Sequence, residues 1–230
     1  MDIVYIVKPG RVNDELTFSL RSLKNIPHGK VFIVGGCPAN INKKTVYHIP
    51  TEQTATKWQN STQNLLTACK DSRISKDFIL FNDDFFILRP IQEQDLLLDR
   101  GPLIDVYNEY VEKYTDNEYI RGMRQTAEFL KNLGIDNPLS FELHIPMILD
   151  KNKVLKMFDL PGVKDIKVLH KRTLYGNLYL SGTQMVQDVK CYNHFNAHKP
   201  HTFLSSIDTF FEPLRYWLIG QFPNKCPYEI

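Results

Sequence analysis

The chain has 230 residues, of which 43% are hydrophobic and 23% charged, and its formal net charge is +2 at pH 7. This composition is typical of a folded globular protein, and the length suits one domain over residues 1–230. The near-balanced charge provides no overall basic surface for tight binding to duplex DNA, which leaves only a local basic patch open.

Neither a targeting segment nor a membrane segment is expected. The N-terminus enters a strand pattern directly, without the basic start and cleavage site of a signal peptide. No apolar run approaches the roughly 20 residues that span a bilayer. The four cysteines form no CxxC pair, so neither a zinc knuckle nor a disulfide framework is predicted, and a reducing cytoplasm is the expected location.

The N-terminal part of the chain predicts the start of a parallel βαβ unit. Apolar, β-branched runs at 3–7 and 31–34 predict two buried strands, and leucines recur at helical spacing through residues 14–26 between them. Asn13 or Asp14 is expected to cap that helix. A strand, a helix and a strand at this spacing indicate a right-handed parallel βαβ unit.

The remaining elements alternate between short strands and helices. Residues 92–140 are rich in tyrosine and mixed charge, and we interpret them as a helical insertion or lid packed on the sheet. The pattern predicts an α/β fold with a Rossmann-like, mixed and mostly parallel sheet flanked by helices. Further strands are expected at 46–49, 78–81, 141–146, 189–192 and 202–208, and further helices at 54–69, 105–114, 121–133, 152–158 and 212–221.

The stretch FILFNDDFFIL at 78–88 is the most informative part of the sequence. Its first four residues predict a strand buried on both faces, and Asp83 and Asp84 follow before a second apolar run. Two adjacent carboxylates are costly to bury without a cation, and the carboxyl end of a strand in an open α/β sheet is where ligands bind. A divalent metal that carries phosphate oxygens is one interpretation. A β-hairpin with a polar Asn-Asp-Asp tip is the other, and the local sequence leaves both open.

An N-terminal βαβ unit followed by paired carboxylates at a later strand end is how nucleotide-sugar transferases of the GT-A type are built. The pyrophosphate of such a donor is strongly negative, and a metal held by carboxylates neutralises the charge that develops on the leaving nucleotide. In this interpretation Asp84, with Asp83 beside it, holds Mg²⁺ or Mn²⁺, and Asn82 orients the pair. For one of the two aspartates, a turn or capping role is the alternative.

Two segments of the chain resemble conserved segments of the Stealth family of sugar-phosphate transferases. They are VNDELTFSLRSLKN at 12–25 and FILFNDDFFILRPI at 78–91. Weaker similarity covers 1–7, 141–157 and 203–229, in the order found in the family, and leaves out 92–140. The chain departs from the family in having Lys8-Pro9-Gly10 in place of a loop with an aspartate, and Ile207-Asp208 in place of an Asn-Asp pair.

The resemblance implies a GT-A-like fold and an enzyme that moves a hexose 1-phosphate from a nucleotide sugar to a hydroxyl acceptor, releasing the nucleoside monophosphate. It also implies roles for individual residues. Asp83 and Asp84 match the acidic pair, His144 a histidine that could act as general base, Arg172 an arginine suited to phosphate oxygens, and Asp208 a second metal ligand or orienting residue. The donor-binding residues expected are Lys8, Asn13, Arg21 and Asn82, with a structural ion pair as the equal alternative for Arg21.

Three histidines, His194, His198 and His201, lie close together in the sequence. No cysteine or second histidine pair completes a tetrahedral zinc site among them. GT-A enzymes often take one metal contact from a late histidine, so His201 is predicted to join Asp83 and Asp84 as a metal ligand.

Three functions remain open on this evidence. The first is a sugar-phosphate transferase, the second a glycosyltransferase that uses the same donor and metal but releases the nucleoside diphosphate, and the third a binding module without catalysis. The presence of Asp83, Asp84 and Asp208 disfavours the third. A glycan fits the family as acceptor; a modified nucleic-acid base is conceivable, but the near-neutral charge does not support it.

Overall fold

The computed structural model describes residues 1–230. The strands are Asp2–Val7 (β1), Val31–Gly35 (β2), Tyr47–Ile49 (β3), Asp77–Asn82 (β4), Phe85–Ile87 (β5), Leu98–Asp99 (β6), Met147–Asp150 (β7), Gln184–Met185 (β8), Lys190–Cys191 (β9) and Phe203–Ser206 (β10). The α-helices are Asp14–Ser22 (α1), Lys57–Lys70 (α2), Leu103–Lys113 (α3), Glu118–Asn132 (α4), Lys151–Phe158 (α5), Lys171–Tyr179 (α6) and Asp208–Gln221 (α7). Short 3₁₀ helices cover Leu23–Asn25, Glu93–Leu96 and Val163–Asp165.

The main sheet has five strands in the order β3-β2-β1-β4-β7. The first four are parallel, and β7 runs antiparallel to β4. Because β1, β2 and β4 are parallel, their carboxyl ends at Val7, Gly35 and Asn82 share one edge of the sheet, where ligands bind in open α/β sheets. The predicted fold class, a mixed and mostly parallel sheet flanked by helices, is confirmed.

The central strands are buried on both faces, as their unbroken apolar runs predict. Ile3, Tyr5 and Val7 of β1 pack in one core with α1, whereas Val4 packs in a second core with α2, α5 and α6 on the other face. The sheet therefore forms the rigid middle layer that holds the strand ends in place. No helix is both long and apolar enough to cross a bilayer.

The acidic pair lies where the chain passes from the main sheet into a second one. The turn at Asp83 and Asp84 is followed by β5, which does not pair with β4. Instead β5 pairs antiparallel with β10, in a three-stranded sheet of order β5-β10-β9. The hairpin interpretation of this stretch is therefore wrong, because the two apolar runs belong to different sheets.

Two predicted strands differ from the structure in ways that bear on the site. Residues 141–146 form no strand; the strand begins at Met147, because the carbonyls of Leu143 and Ile145 accept hydrogen bonds from the side chain of Arg172 rather than from a neighbouring strand. Asp208, expected at the end of a strand, is the first residue of α7. An acidic side chain in this first turn is stabilised by the helix dipole.

Within residues 92–140, α3 and α4 form a helical pair that packs around a small core of Leu103, Val106 and Met123. Helix α4 approaches the chain before α6 very closely at Gly122. A Cβ atom at this position would lie 2.0 Å from the carbonyl oxygen of Val168, so only glycine allows the contact. This contact fixes the helical pair against the segment that precedes α6.

Candidate active site

Four carboxylates, those of Glu15, Asp83, Asp84 and Asp208, form what we call the acidic group at the carboxyl ends of β1 and β4. Burial and then the charges of the other three raise the pKa of Glu15 to about 7. Burial and then the charge of Asp84 raise the pKa of Asp83 to about 6. Negative charge therefore exceeds what the nearby lysines offset, which is typical of functional sites.

The carboxylate of Asp84 is buried, with 8% of the residue exposed. Its Oδ2 accepts hydrogen bonds from Lys190 Nζ at 3.0 Å and from Ser205 Oγ at 2.6 Å. Ser205 and Lys190 lie beside Asp84 because Ser205 pairs with Phe85 in the antiparallel β5-β10 register and with Lys190 in the parallel β10-β9 register. The second sheet thus supplies both groups that hold Asp84.

The carboxylate of Asp83 is held from α1. Asn13 caps this helix, since its Oδ1 accepts the backbone N–H of Leu16 at 2.9 Å, and its Nδ2 donates to Asp83 Oδ2 at 2.6 Å. One side chain therefore fixes both the start of α1 and the position of Asp83. Asn82 is exposed beside the pair.

The aspartate pair fits a divalent cation by its chemistry. In both carboxylates the hydrogen bonds from other residues fall on Oδ2, which leaves Oδ1 for a ligand. Mg²⁺ and similar hard cations are commonly bound by one or two carboxylates together with substrate phosphates. No group of three or more His, Cys, Asp or Glu side chains is arranged to hold a metal, so Asp83 and Asp84 would hold it jointly with a phosphate ligand.

The structure separates His201 from this pair and corrects the predicted set of three metal ligands. Phe203 pairs with Ile87 and Ser205 with Phe85, so the chain before β10 lies at the far end of β5. His201 precedes β10 and lines a separate cavity with Arg89 and Pro90, whereas Ser205 within β10 contacts Asp84. Its Nε2 is hydrogen-bonded to the carbonyl oxygen of Asn196 at 2.8 Å.

Lys8 and Asp208 form an exposed ion pair at the end of β1, with Nζ and Oδ2 2.9 Å apart. The hydrogen bond to Asp208 raises the pKa of Lys8, and the same contact lowers the pKa of Asp208. Together with Asn13 and Glu15 they line an open cavity of about 290 Å³. Of the four residues predicted to bind the donor, Lys8 and Asn13 therefore lie together beside the acidic group.

His144 forms a dyad with Asp188. Its Nδ1 lies 2.8 Å from Asp188 Oδ2, and its backbone N–H donates to Oδ1 at 3.0 Å. Burial raises the pKa of Asp188, but the hydrogen bonds from His144 and the charges of His144 and Arg100 outweigh it, so the net shift is downward. An ionised Asp188 that accepts from Nδ1 leaves Nε2 as the acceptor nitrogen of the ring. His144 shares a cavity of about 100 Å³ with Asn82.

Arg172 holds the loop that carries His144. Its Nη1 and Nη2 donate to the backbone carbonyls of Leu143 and Ile145, and its guanidinium lies 5.4 Å from the ring centroid of Phe85. Burial lowers its pKa, opposed by the nearby Glu142. These contacts make Arg172 a support of the loop that carries His144, while its Nε is left without a hydrogen-bond partner and the residue lines the same cavity as His144.

Arg21 is likewise engaged in structural contacts. Its Nε and Nη2 donate to the two carboxylate oxygens of Glu229 at 2.8 and 2.7 Å, and its Nη1 donates to the carbonyl of Phe222. The structural ion pair, which the sequence left as an equal alternative to donor binding, is the interpretation that these contacts favour.

Sequence reasoning missed three residues of the site: Glu15, Asp188 and Lys190. Glu15 was visible only as an acidic residue in the first turn of a helix. Asp188 and Lys190 flank the start of a short predicted strand, but their partners are 44 and 106 residues away in the chain. Only the tertiary fold brings them to His144 and Asp84.

Comparisons with known proteins add little to this geometry. No protein-family model matches the sequence, and no curated protein matches it. A crystal structure of the galactosyltransferase LgtC in complex with donor and acceptor sugar analogs is similar with a TM-score of 0.47 and 11% identity, over 99% of this chain and 98% of that chain. An active-site mutant of LgtC gives a TM-score of 0.48 and 10% identity over the same shares. At this identity and TM-score the similarity supports no functional conclusion for this chain.

Proposed function

We propose that the protein is a metal-dependent transferase that uses a nucleotide-sugar donor. The observation that carries this proposal is the acidic group at the carboxyl ends of β1 and β4, with the pKa values of Glu15 and Asp83 raised to about 7 and 6. Carboxylates whose ionised form is unfavourable in the folded protein are suited to bind a cation, which would arrive together with its phosphate ligand. Nucleotide sugars offer that ligand in the oxygens of their diphosphate.

The residues of this chain have distinct tasks in this proposal. Asp83 and Asp84 would hold Mg²⁺ or Mn²⁺, which when bound supplies positive charge against the donor diphosphate. Lys8 and Asn13 line the side of the site where β1 ends and would contact the donor. His144, oriented by Asp188, would accept the proton of the acceptor hydroxyl through Nε2.

Among the two possible chemistries we favour transfer of the sugar itself. Transfer of a hexose 1-phosphate breaks the bond between the two phosphoryl groups of the donor and calls for positive charge at the phosphorus that carries the sugar, the role that the resemblance gave to Arg172. The guanidinium of Arg172 instead donates to the carbonyls of Leu143 and Ile145. Breaking the bond between the sugar and the diphosphate needs no such cation beyond the metal.

One observation favours the second candidate, transfer of hexose 1-phosphate. The side chain of Lys171 lines the same cavity as His144 and forms no salt bridge. Burial lowers its pKa, and the charge of Glu142 opposes that shift. An amine that stays protonated at this place would supply the positive charge that hexose 1-phosphate transfer calls for.

Two experiments test the proposal. Thermal unfolding is followed with a panel of UDP-, GDP-, CDP- and dTDP-sugars, each with Mn²⁺, Mg²⁺ or EDTA. We expect a metal-dependent rise in Tm with at least one donor, lost in Asp84→Asn and kept in Asp77→Asn at the other end of β4. The absence of any metal-dependent rise would contradict the proposal.

The released nucleotide then decides between the chemistries. A nucleoside diphosphate identifies sugar transfer, whereas a monophosphate identifies hexose 1-phosphate transfer. Asp188→Asn is expected to lower turnover by about 10-fold or more while the donor-induced Tm rise is kept, because the dyad orients the base rather than binding the donor. Full turnover in this variant would remove the dyad from the reaction.

A further inference from the structure

A second cavity opens beside the acidic group, between α3 and the segment that contains β8 and β9. Its volume of about 460 Å³ lies in the range of small-molecule sites. Three tyrosines line it: Tyr110 on α3, Tyr114 directly after α3, and Tyr192 directly after β9. We call it the tyrosine cavity.

The aromatic faces of this cavity are accessible. Tyr114 is 45% and Tyr192 44% exposed, and Met185 on the same wall is 66% exposed. The rings of Tyr110 and Tyr114 lie 5.5 Å apart between centroids. Exposed aromatic side chains gathered around one cavity indicate a binding surface. They present flat apolar faces with a hydroxyl at the edge, and the C–H face of a sugar ring can pack on them.

The charges of the cavity are balanced in number, and its cations are already paired. Arg100 and Lys113 both contact Glu109, at 2.9 and 2.7 Å, and Lys190 is paired with Asp84. A nucleic acid is bound chiefly through Lys and Arg that contact its phosphates, and no such group is left unpaired here. The lining therefore fits an uncharged ligand. Its charged members are Arg100, Lys113 and Lys190, against Asp105, Glu109 and Asp188.

Two lining residues connect the cavity to the candidate active site. Asp188 holds His144, and Lys190 holds Asp84, at 2.8 and 3.0 Å. A ligand in the tyrosine cavity would thus lie one side chain away from both the proposed base and the acidic pair. The other wall, α3, belongs to residues 92–140, which the sequence resemblance leaves out.

We propose that the tyrosine cavity binds the acceptor, and that the acceptor is an uncharged saccharide. This rests on the proposed transferase function and assigns a task to the helical pair, since α3 forms the acceptor wall. Binding of the non-reacting rings of a saccharide here would position its hydroxyl for His144.

The test measures saccharide binding without donor or metal, so that it does not depend on the transferase activity. Saturation-transfer NMR is recorded with methyl glycosides of glucose, galactose and N-acetylglucosamine, with lactose and with maltose. We expect at least one to bind, and the double variant Tyr114→Ala/Tyr192→Ala to weaken its affinity by about tenfold or more. Tyr216→Ala is the control, because Tyr216 is 74% exposed on α7 and outside the cavity.

The outcomes separate this proposal from the transferase proposal. Binding by none of these saccharides, or equal binding by the double variant, would overturn the acceptor assignment even where the donor raises Tm. Tyrosine-dependent binding of a single-stranded DNA oligonucleotide in place of the saccharides would overturn it as well. In an active preparation, we expect the double variant to raise KM for the acceptor about tenfold and leave KM for the donor unchanged.

Discussion

Replacing Asp83 by asparagine should make the protein more stable at neutral and alkaline pH. The pKa of this carboxyl is raised from its ordinary value of 3.8 to about 6. A difference of about 2 units corresponds to about 3 kcal/mol of unfolding free energy at about 1.4 kcal/mol per unit, which ionised Asp83 costs the folded state. Losing the charge-assisted hydrogen bond from Asn13 offsets about 1 kcal/mol of this gain. The expected net gain for Asp83→Asn is about 2 kcal/mol at pH 8.

The gain has a defined pH window. Because the folded-state pKa lies above the unfolded one, the cost of ionising Asp83 is complete above about pH 6 and vanishes as pH falls towards 4. Urea unfolding at pH 8 and at pH 4.5 measures it, with Asp77→Asn on the exposed end of β4 as the control. Equal stability of Asp83→Asn and the natural protein at pH 8 would refute the idea that this carboxylate is held at a cost. Addition of Mn²⁺ together with a nucleotide sugar should stabilise the natural protein and have less effect on the variant.

Three further predictions concern Arg21, Arg172 and His201, whose side-chain contacts the structure describes. Arg21→Ala should lower the free energy of unfolding by about 1–3 kcal/mol in urea titrations, because it leaves the half-buried Glu229 with the backbone N–H of Cys226 but without its cationic partner; a loss below about 1 kcal/mol would contradict the structural role. Arg172→Met should lower turnover while the donor-induced rise in Tm is kept, because it releases the loop of His144; loss of that rise would instead show that Arg172 contacts the donor. His201→Ala should leave the metal-dependent Tm rise unchanged. Loss of that rise in the variant would indicate that His201 is a metal ligand.

The part of the site that sequence reasoning predicted is the part encoded locally. An apolar run that ends in two carboxylates sets both the buried strand β4 and the exit of Asp83 and Asp84 at its end. Asn13 is similar, because a capping residue is recognisable from the few residues that follow it. Neither prediction requires knowledge of which distant segments meet.

The residues whose roles sequence reasoning left open or predicted otherwise depend on contacts across the chain. The register of β10 against β5 decides that His201 lies far from Asp84, and nothing in the histidine-rich segment specifies this register. Arg21 meets a partner 208 residues away, so its charge pairing was invisible in its own helix. Arg172 was predicted to suit phosphate oxygens; its hydrogen bonds to two backbone carbonyls follow from a loop that the pattern had predicted as a strand.

Position 13 has little freedom to vary. Its side-chain oxygen is occupied by the first turn of a helix and its side-chain nitrogen by a carboxylate of the site. Serine or threonine could serve the helix but could not reach the carboxylate in the same way, and aspartate would serve the helix while repelling the carboxylate. The side-chain amide of Asn13 therefore serves both the start of α1 and the position of Asp83. A substitution made to improve one of these two contacts would disturb the other.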